Sequence, residues 1–245
     1  MLAYWNGDRS LAESIYRELW EKDPYQTFAY AKFLEQIDDR ETRNQVLSAG
    51  ITRLKVQLQM NPVDREARGG ISAAYESLKD WTNAETTLLD GIGVQQDGWS
   101  IEQLRSFYIR RLVNSEVDQI TEREFSYFLV RSFRTEGPSE RVLNSVRESL
   151  FFQPVKLKRV QQELSRWLVE GLDPPIAHSC LAYVELFLEN TEVADWHLEQ
   201  AIRVEKDLQS SIGSSAAYLR SNWAIPGTLA SVLERWQVPQ QRPFD

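Results

Sequence analysis

Apolar residues recur at three- and four-residue intervals along almost the whole chain, and nowhere do they alternate at a sustained period of two. That spacing lays one apolar stripe along the face of a helix, and the missing alternation removes strands as building material. Ala12, Tyr16, Leu19 and Trp20 form one stripe, and Leu47, Ile51, Leu54 and Leu58 another. Trp81, Ala84, Leu88 and Ile92 form a third, and Leu157, Val160, Leu164, Trp167 and Leu168 a fourth. Ser10/Glu13, Thr82/Glu85, Ser100/Gln103 and Thr121/Glu124 have capping-box spacing, which predicts helix starts there. Stops are expected before Pro24, Pro62, Pro138, Pro154 and Pro175, because proline disfavours helix in the residue before it. The pattern predicts an all-α chain of about a dozen helices joined by short connections.

Composition sets the class. Of the 245 residues, 26% are charged and 42% hydrophobic, the balance of a folded chain and not of a disordered one. No apolar run reaches the ~18 residues of a membrane helix, since the longest is broken by Glu185. Met1 to Trp5 lack the cationic segment and long apolar core of a secretory signal, so a cytoplasmic location is expected. The net charge of −8 counts against nucleic acid as a partner. It is unevenly spread: residues 1–98 carry 11 basic and 16 acidic groups, 99–168 carry 12 and 9, and 169–245 carry 5 and 11.

Side chains that could carry chemistry are few. The single cysteine, Cys180, excludes a disulfide framework and a thiolate-rich metal site within this chain. His178 and Cys180 are two apart on a predicted helix and point to different faces. His197 follows on the next helix within reach of His178, but two histidines without a carboxylate make a thin metal site. Asp38-Asp39 reads as a polar turn, and Gly69-Gly70 as a place of close helix approach. No phosphate-binding glycine loop, nucleophile elbow or His-Glu-x-x-His is present. A non-enzymatic protein without metal or cofactor is expected.

Several helix pairs share more than amphipathicity. Residues 65–98 place Ile71, Ser72 and Tyr75 on a first helix, Lys79-Asp80-Trp81 in a turn, and Ala84, Leu88 and Gly91 on a second. Residues 175–208 repeat this with Leu181 and Ala182, then Ala194, Leu198 and Ala201. Residues 27–64 fit with about four extra residues in the turn, carrying Tyr30, Phe33 and Leu34, then Gly50, Leu54 and Pro62. Residues 123–156 follow through Leu129, Phe133, Val142 and Val146, and Gly7 to Pro24 read as the second half of a unit. These segments resemble the tetratricopeptide repeat (TPR) family, whose units are 34-residue helix–turn–helix pairs. Two helices, near 99–113 and 157–169, remain unpaired.

The resemblance implies a right-handed α-solenoid of antiparallel helix pairs, a single repeat domain over 1–236 that begins inside a repeat, with a flexible tail at 237–245. It also implies a concave groove lined by the first helix of each unit. The groove candidates are Phe28, Ala31, Glu35 and Asp38; Glu66, Gly69, Ala73 and Glu76; Tyr127, Arg131 and Arg134; and Ser179 and Tyr183. Ala31, Glu35, Gly69 and Ala73 stand where chaperone-binding members carry their lysine/asparagine clamp, so that role is not implied. The expected function is a protein-interaction scaffold that takes a peptide or partner helix. A regulatory part of a larger enzyme or membrane-associated assembly is an alternative, as is RNA binding through the arginines between 105 and 166. Self-association through apolar faces of terminal repeats is a further expectation.

Overall fold

The computed structural model describes residues 8–113, 121–147, 150, 153–223 and 227–237. Among the described residues there are thirteen α-helices and no strand. By their contacts the residues fall into two compact units, Met1–Leu104 and Arg105–Asp245. The expected tail, Gln237 apart, and the residues before Asp8 lie outside the described residues.

The first unit contains α1 (Arg9–Lys22), a 3-10 turn (Pro24–Gln26), α2 (Thr27–Gln36), α3 (Arg40–Met60), α4 (Arg65–Ser77), α5 (Trp81–Val94) and the start of α6 (Gly98–Val113). Each helix from α1 to α4 packs on the next, and α2 also touches α4. Ala31, Leu47, Ile51, Leu54, Ala67, Ile71 and Ala74 form one buried cluster. Ala12, Tyr30, Phe33, Leu34 and Val46 form a second.

The pairs α2–α3 and α4–α5 are copies of each other at a spacing of 41 residues. Asp38 and Lys79 both have positive φ, at 58° and 62°. Asp39 and Asp80, one residue on, both cap the second helix, accepting from the backbone N–H of Thr42 and Asn83. A methyl added at Gly50 would lie 2.1 Å from Thr27, and one at Gly91 would lie 2.4 Å from Arg68, again 41 residues on. The repeat is thus seven residues longer than the TPR unit. The extra length lies in the 21-residue α3 and not in the turn, where the sequence had been expected to hold it.

Helix starts differ from expectation in one respect. Only Thr121/Glu124 forms a reciprocal capping box. At the other three sites an aspartate further upstream takes the cap: Asp8 accepts from Leu11 N, Asp80 from Asn83 N and Asp97 from Ser100 N. The helices start earlier than expected, so Ser10, Thr82 and Ser100 lie within the first turn and the preceding carboxylate faces the helix's positive end.

The second unit continues with α7 (Glu122–Glu136), α8 (Glu140–Val146), α9 (Pro154–Val169), α10 (Pro174–Phe187), α11 (Thr191–Val204), α12 (Leu208–Asn222) and α13 (Gly227–Gln237). α10 and α11 form the most extensive pair, and α9 packs on both α7 and α10. The α10–α11 turn repeats the first unit's device, with Glu189 at φ 63° ahead of Asn190. Asn190 does not cap its helix, because its amide donates to the buried Glu185 at 2.7 Å. Gln161 of α9 donates to the other Glu185 oxygen at 2.6 Å, so this buried carboxylate is held by neutral donors.

Candidate functional site

Phe125, Phe128, Leu129 and Phe133 turn the apolar face of α7 into the core. Arg123, Tyr127 and Arg131, each four residues from the next, share another face. On α9 the buried residues are Leu157, Val160 and Leu164, which leaves Glu163, Arg166, Trp167 and Glu170 along the adjoining strip. Contacts climb both helices in the same sense: Glu122 pairs with Arg159 at 3.1 Å, Tyr127 meets Trp167, and Arg134 binds Asp173 just past α9. α7 and α9 therefore run side by side in one direction. Between them lies a cleft of about 530 Å³, floored by Tyr127, Trp167, Val130 and Leu172 and edged by Arg123, Arg131 and Arg166.

Ion pairs pin both ends. At one, Glu122 accepts from Arg159, and its carboxyl is held below the usual range first by a backbone N–H and then by that arginine. At the other, Arg134 donates to both Asp173 oxygens and to Glu205 at 2.9 Å, tying α7, the α9–α10 connection and the end of α11 together. Asp173 has φ 44° and ψ 58°, and Pro174 follows it. Aspartate enters the left-handed region more readily than most residues, and here its carboxylate is bound by Arg134. Midway, the Tyr127 and Trp167 rings are 6.1 Å apart, and Arg131 lies over Tyr127 at 5.2 Å from the ring centre.

The structure brings three of the expected groove residues to this place: Tyr127 and Arg131 line the cleft, and Arg134 closes its end. It corrects others. Ala31, Ser179 and Tyr183 are buried and offer no surface. α9 packs on both α7 and α10, so this chain's own helix occupies surface that those helices were expected to offer a ligand, while Tyr183 packs on Phe133 and Trp236 and bonds Ser215. Asp38 sits in the turn past the end of α2 and pairs with Arg40. On α2, Phe28 and Glu35 are exposed, and Arg43 lies 3.7 Å from Glu35. On α4, Glu66 is exposed, Ala73 and Glu76 are half-buried, and Trp99 approaches Gly69. Gly70 packs on Leu54, the close helix approach expected of the glycine pair.

The histidines do meet. His178 and His197 face each other at 2.8 Å through their Nδ1 atoms, with the edge of Trp196 beside them. Among the described residues no group of three or more His, Cys, Asp or Glu is arranged to hold a metal ion, and Cys180 is buried. No protein-family model matches this chain, and no curated protein matches it in sequence.

Proposed function

We propose that this chain is a non-enzymatic, cytoplasmic protein-interaction module, an α-solenoid of TPR-like helix pairs whose α7–α9 cleft takes a short peptide segment of a partner. The observation that carries the reading is the aromatic floor of Tyr127 and Trp167 inside a cleft of about 530 Å³, a size that accepts one or two side chains. Aromatic and arginine side chains are those that dominate binding energy at protein interfaces. Three carboxylates, Glu163, Glu170 and Asp173, balance the three arginines of the same lining, so the cleft has no net positive charge to draw a phosphate backbone, which favours a peptide over RNA.

Selection from a random library of peptides blocked at both ends tests this. Peptides enriched on the wild-type chain should bind at least about tenfold more weakly to Trp167→Ala, a loss on the order of 1.4 kcal/mol. Enriched peptides indifferent to that substitution would move the site elsewhere. Tight, salt-sensitive binding of mixed single-stranded RNA would replace the reading altogether.

A further inference from the structure

We infer that His178 and His197 form a binding site for one soft monovalent cation of the copper(I) class, held in line between their Nδ1 atoms. The site lies outside the α7–α9 cleft and does not rest on the peptide reading. His178 is on α10 and His197 on α11, the most extensive helix pair of the second unit. Their Nδ1 atoms are 2.8 Å apart and their ring centres 5.0 Å apart. The difference is close to two ring radii, so each Nδ1 lies on the line joining the rings and the two face each other head-on. Only one proton fits between them, so one ring donates, the other accepts and both are neutral. Burial lowers the pKa of each, which keeps both lone-pair donors uncharged at neutral pH. Among the described residues neither ring makes a second hydrogen bond, so no other partner fixes its tautomer.

The class of ion follows from this geometry and from what surrounds it. A soft cation of single charge takes two neutral donors in line, and imidazole is among the ligands that copper accepts. Metal–imidazole bonds of about 2 Å put the nitrogens about 4 Å apart, so the rings must part by about 1 Å. His178 is half-buried and Trp196, against both rings, is exposed and can yield, which also opens a way in from solvent. On binding, the donating ring loses its proton from Nδ1 and takes one up on Nε2, so two neutral imidazoles hold the cation. Zinc takes four ligands, and among the described residues no carboxylate or thiolate completes such a set. Asp195 of α11 is bound by Arg235 and Trp236 of α13. Cys180, two residues from His178, is buried, and burial pushes its thiol pKa up, so it stays protonated. A pair too thin for a divalent ion is complete for a monovalent one.

The experiment offers copper(I) to the full chain at pH 7, without oxygen, against a chromophoric copper(I) chelator. The wild type and Cys180→Ala should each withdraw one equivalent. His178→Phe and His197→Phe should each bind at least about a hundredfold more weakly. X-ray absorption of the loaded wild type should show two nitrogen ligands in line and no sulfur, a readout that does not depend on how any variant folds. Binding lost in Cys180→Ala, or sulfur in that spectrum, moves the copper to the thiol and overturns the inference. Full binding by either Phe variant overturns it as well, and so does a wild type that withdraws no copper. Displacement of the copper by an equal concentration of zinc(II) overturns the choice of a monovalent ion on which it rests.

Discussion

The two units solve the same packing problem with different chemistry. In the first, neighbouring helices approach through glycine: Gly50 opposite Thr27 and Gly91 opposite Arg68, both inside a pattern that repeats every 41 residues. In the second, helices are joined by buried and half-buried polar ties, among them Glu185 with Gln161 and Asn190, Tyr183 with Ser215, and Asn144 with Tyr218. A repeated seam needs only small residues at fixed intervals. A set of unique ties lets each helix take its own course, and the second unit uses that freedom to lay α9 beside α7 with a cleft between them.

The largest expected effect breaks the seam. Gly50→Ala places a methyl 2.1 Å from Thr27, whose hydroxyl donates to Pro24 O at 2.6 Å and accepts from the Trp20 indole at 3.1 Å. Thr27 is buried and has nowhere to move, so the substitution should cost about 3 kcal/mol in urea unfolding. Gly91→Ala meets the Arg68 side chain, pinned by bonds to Thr87 O and Pro62 O, and should cost about 2 kcal/mol. An unchanged unfolding midpoint for both would mean that the helices are not seated on these glycines.

Gly50 also marks where the sequence was legible and where it was not. Its place on the second helix of the 27–64 unit was legible, and the helix stops ahead of Pro24, Pro62 and Pro138 all hold. Gly50 heads the second-helix residues of 27–64 as Ala84 heads those of 65–98, yet its structural counterpart is Gly91, seven residues further on. Two helical turns return to nearly the same face, so side-chain pattern alone does not resolve such a slip. On α7, Tyr127 and Arg131 were legible as surface residues. Trp167 was not, because its spacing from Leu164 puts it in the apolar stripe, and periodicity does not separate the centre of a stripe from its edge. Ser179 and Tyr183 failed because α10 is packed by α7, α9 and α11 at once, which buries faces that a paired helix would leave open.

Acid should separate the units next. Both histidines lie in the second, where burial lowers the His178 pKa, and burial together with the neighbouring His178 lowers that of His197 to about 4. The unfolded chain takes up these protons near pH 6.5 while the folded chain resists them. Stability held above that value is therefore lost progressively as the pH falls towards 4. In the first unit the lowered groups are carboxylates such as Asp8 and Asp97, held down first by the backbone N–H of Leu11 and Ser100. Their contribution is retained until the pH falls through the ordinary carboxylate range. Hydrogen exchange at pH 7 and pH 5, corrected for intrinsic rates, should show α10–α11 losing more protection than α4–α5. Replacing both histidines with Phe should remove the difference; equal losses in the two pairs would remove the histidines from the account.

Arg134→Ala tests a single tie. The guanidinium is about two-fifths exposed and bonds Asp173 and Glu205, so its loss should cost about 1 kcal/mol, the upper range for an exposed ion pair because three segments share it. Arg134→Lys keeps the charge but not the fork and should recover less than half. Full recovery by Lys would show that charge alone, and not the paired hydrogen bonds to Asp173, is what the site requires.

The smallest effect is the sharpest contrast with Gly50. Gly213 lies inside α12, and a methyl there would stand 3.6 Å from Trp236 O and 3.8 Å from Gln237 O, ordinary contact distances. Alanine gains about 1 kcal/mol over glycine in a helix interior. Against this, the methyl shields carbonyl oxygens in the last turn of α13, where backbone acceptors have no partner within the helix. The two effects nearly offset, so Gly213→Ala should shift stability by no more than about 0.5 kcal/mol, in the stabilising direction. A loss as large as that of Gly50→Ala would mean that α12 and α13 also close on a glycine seam, and the distinction between the two units would dissolve.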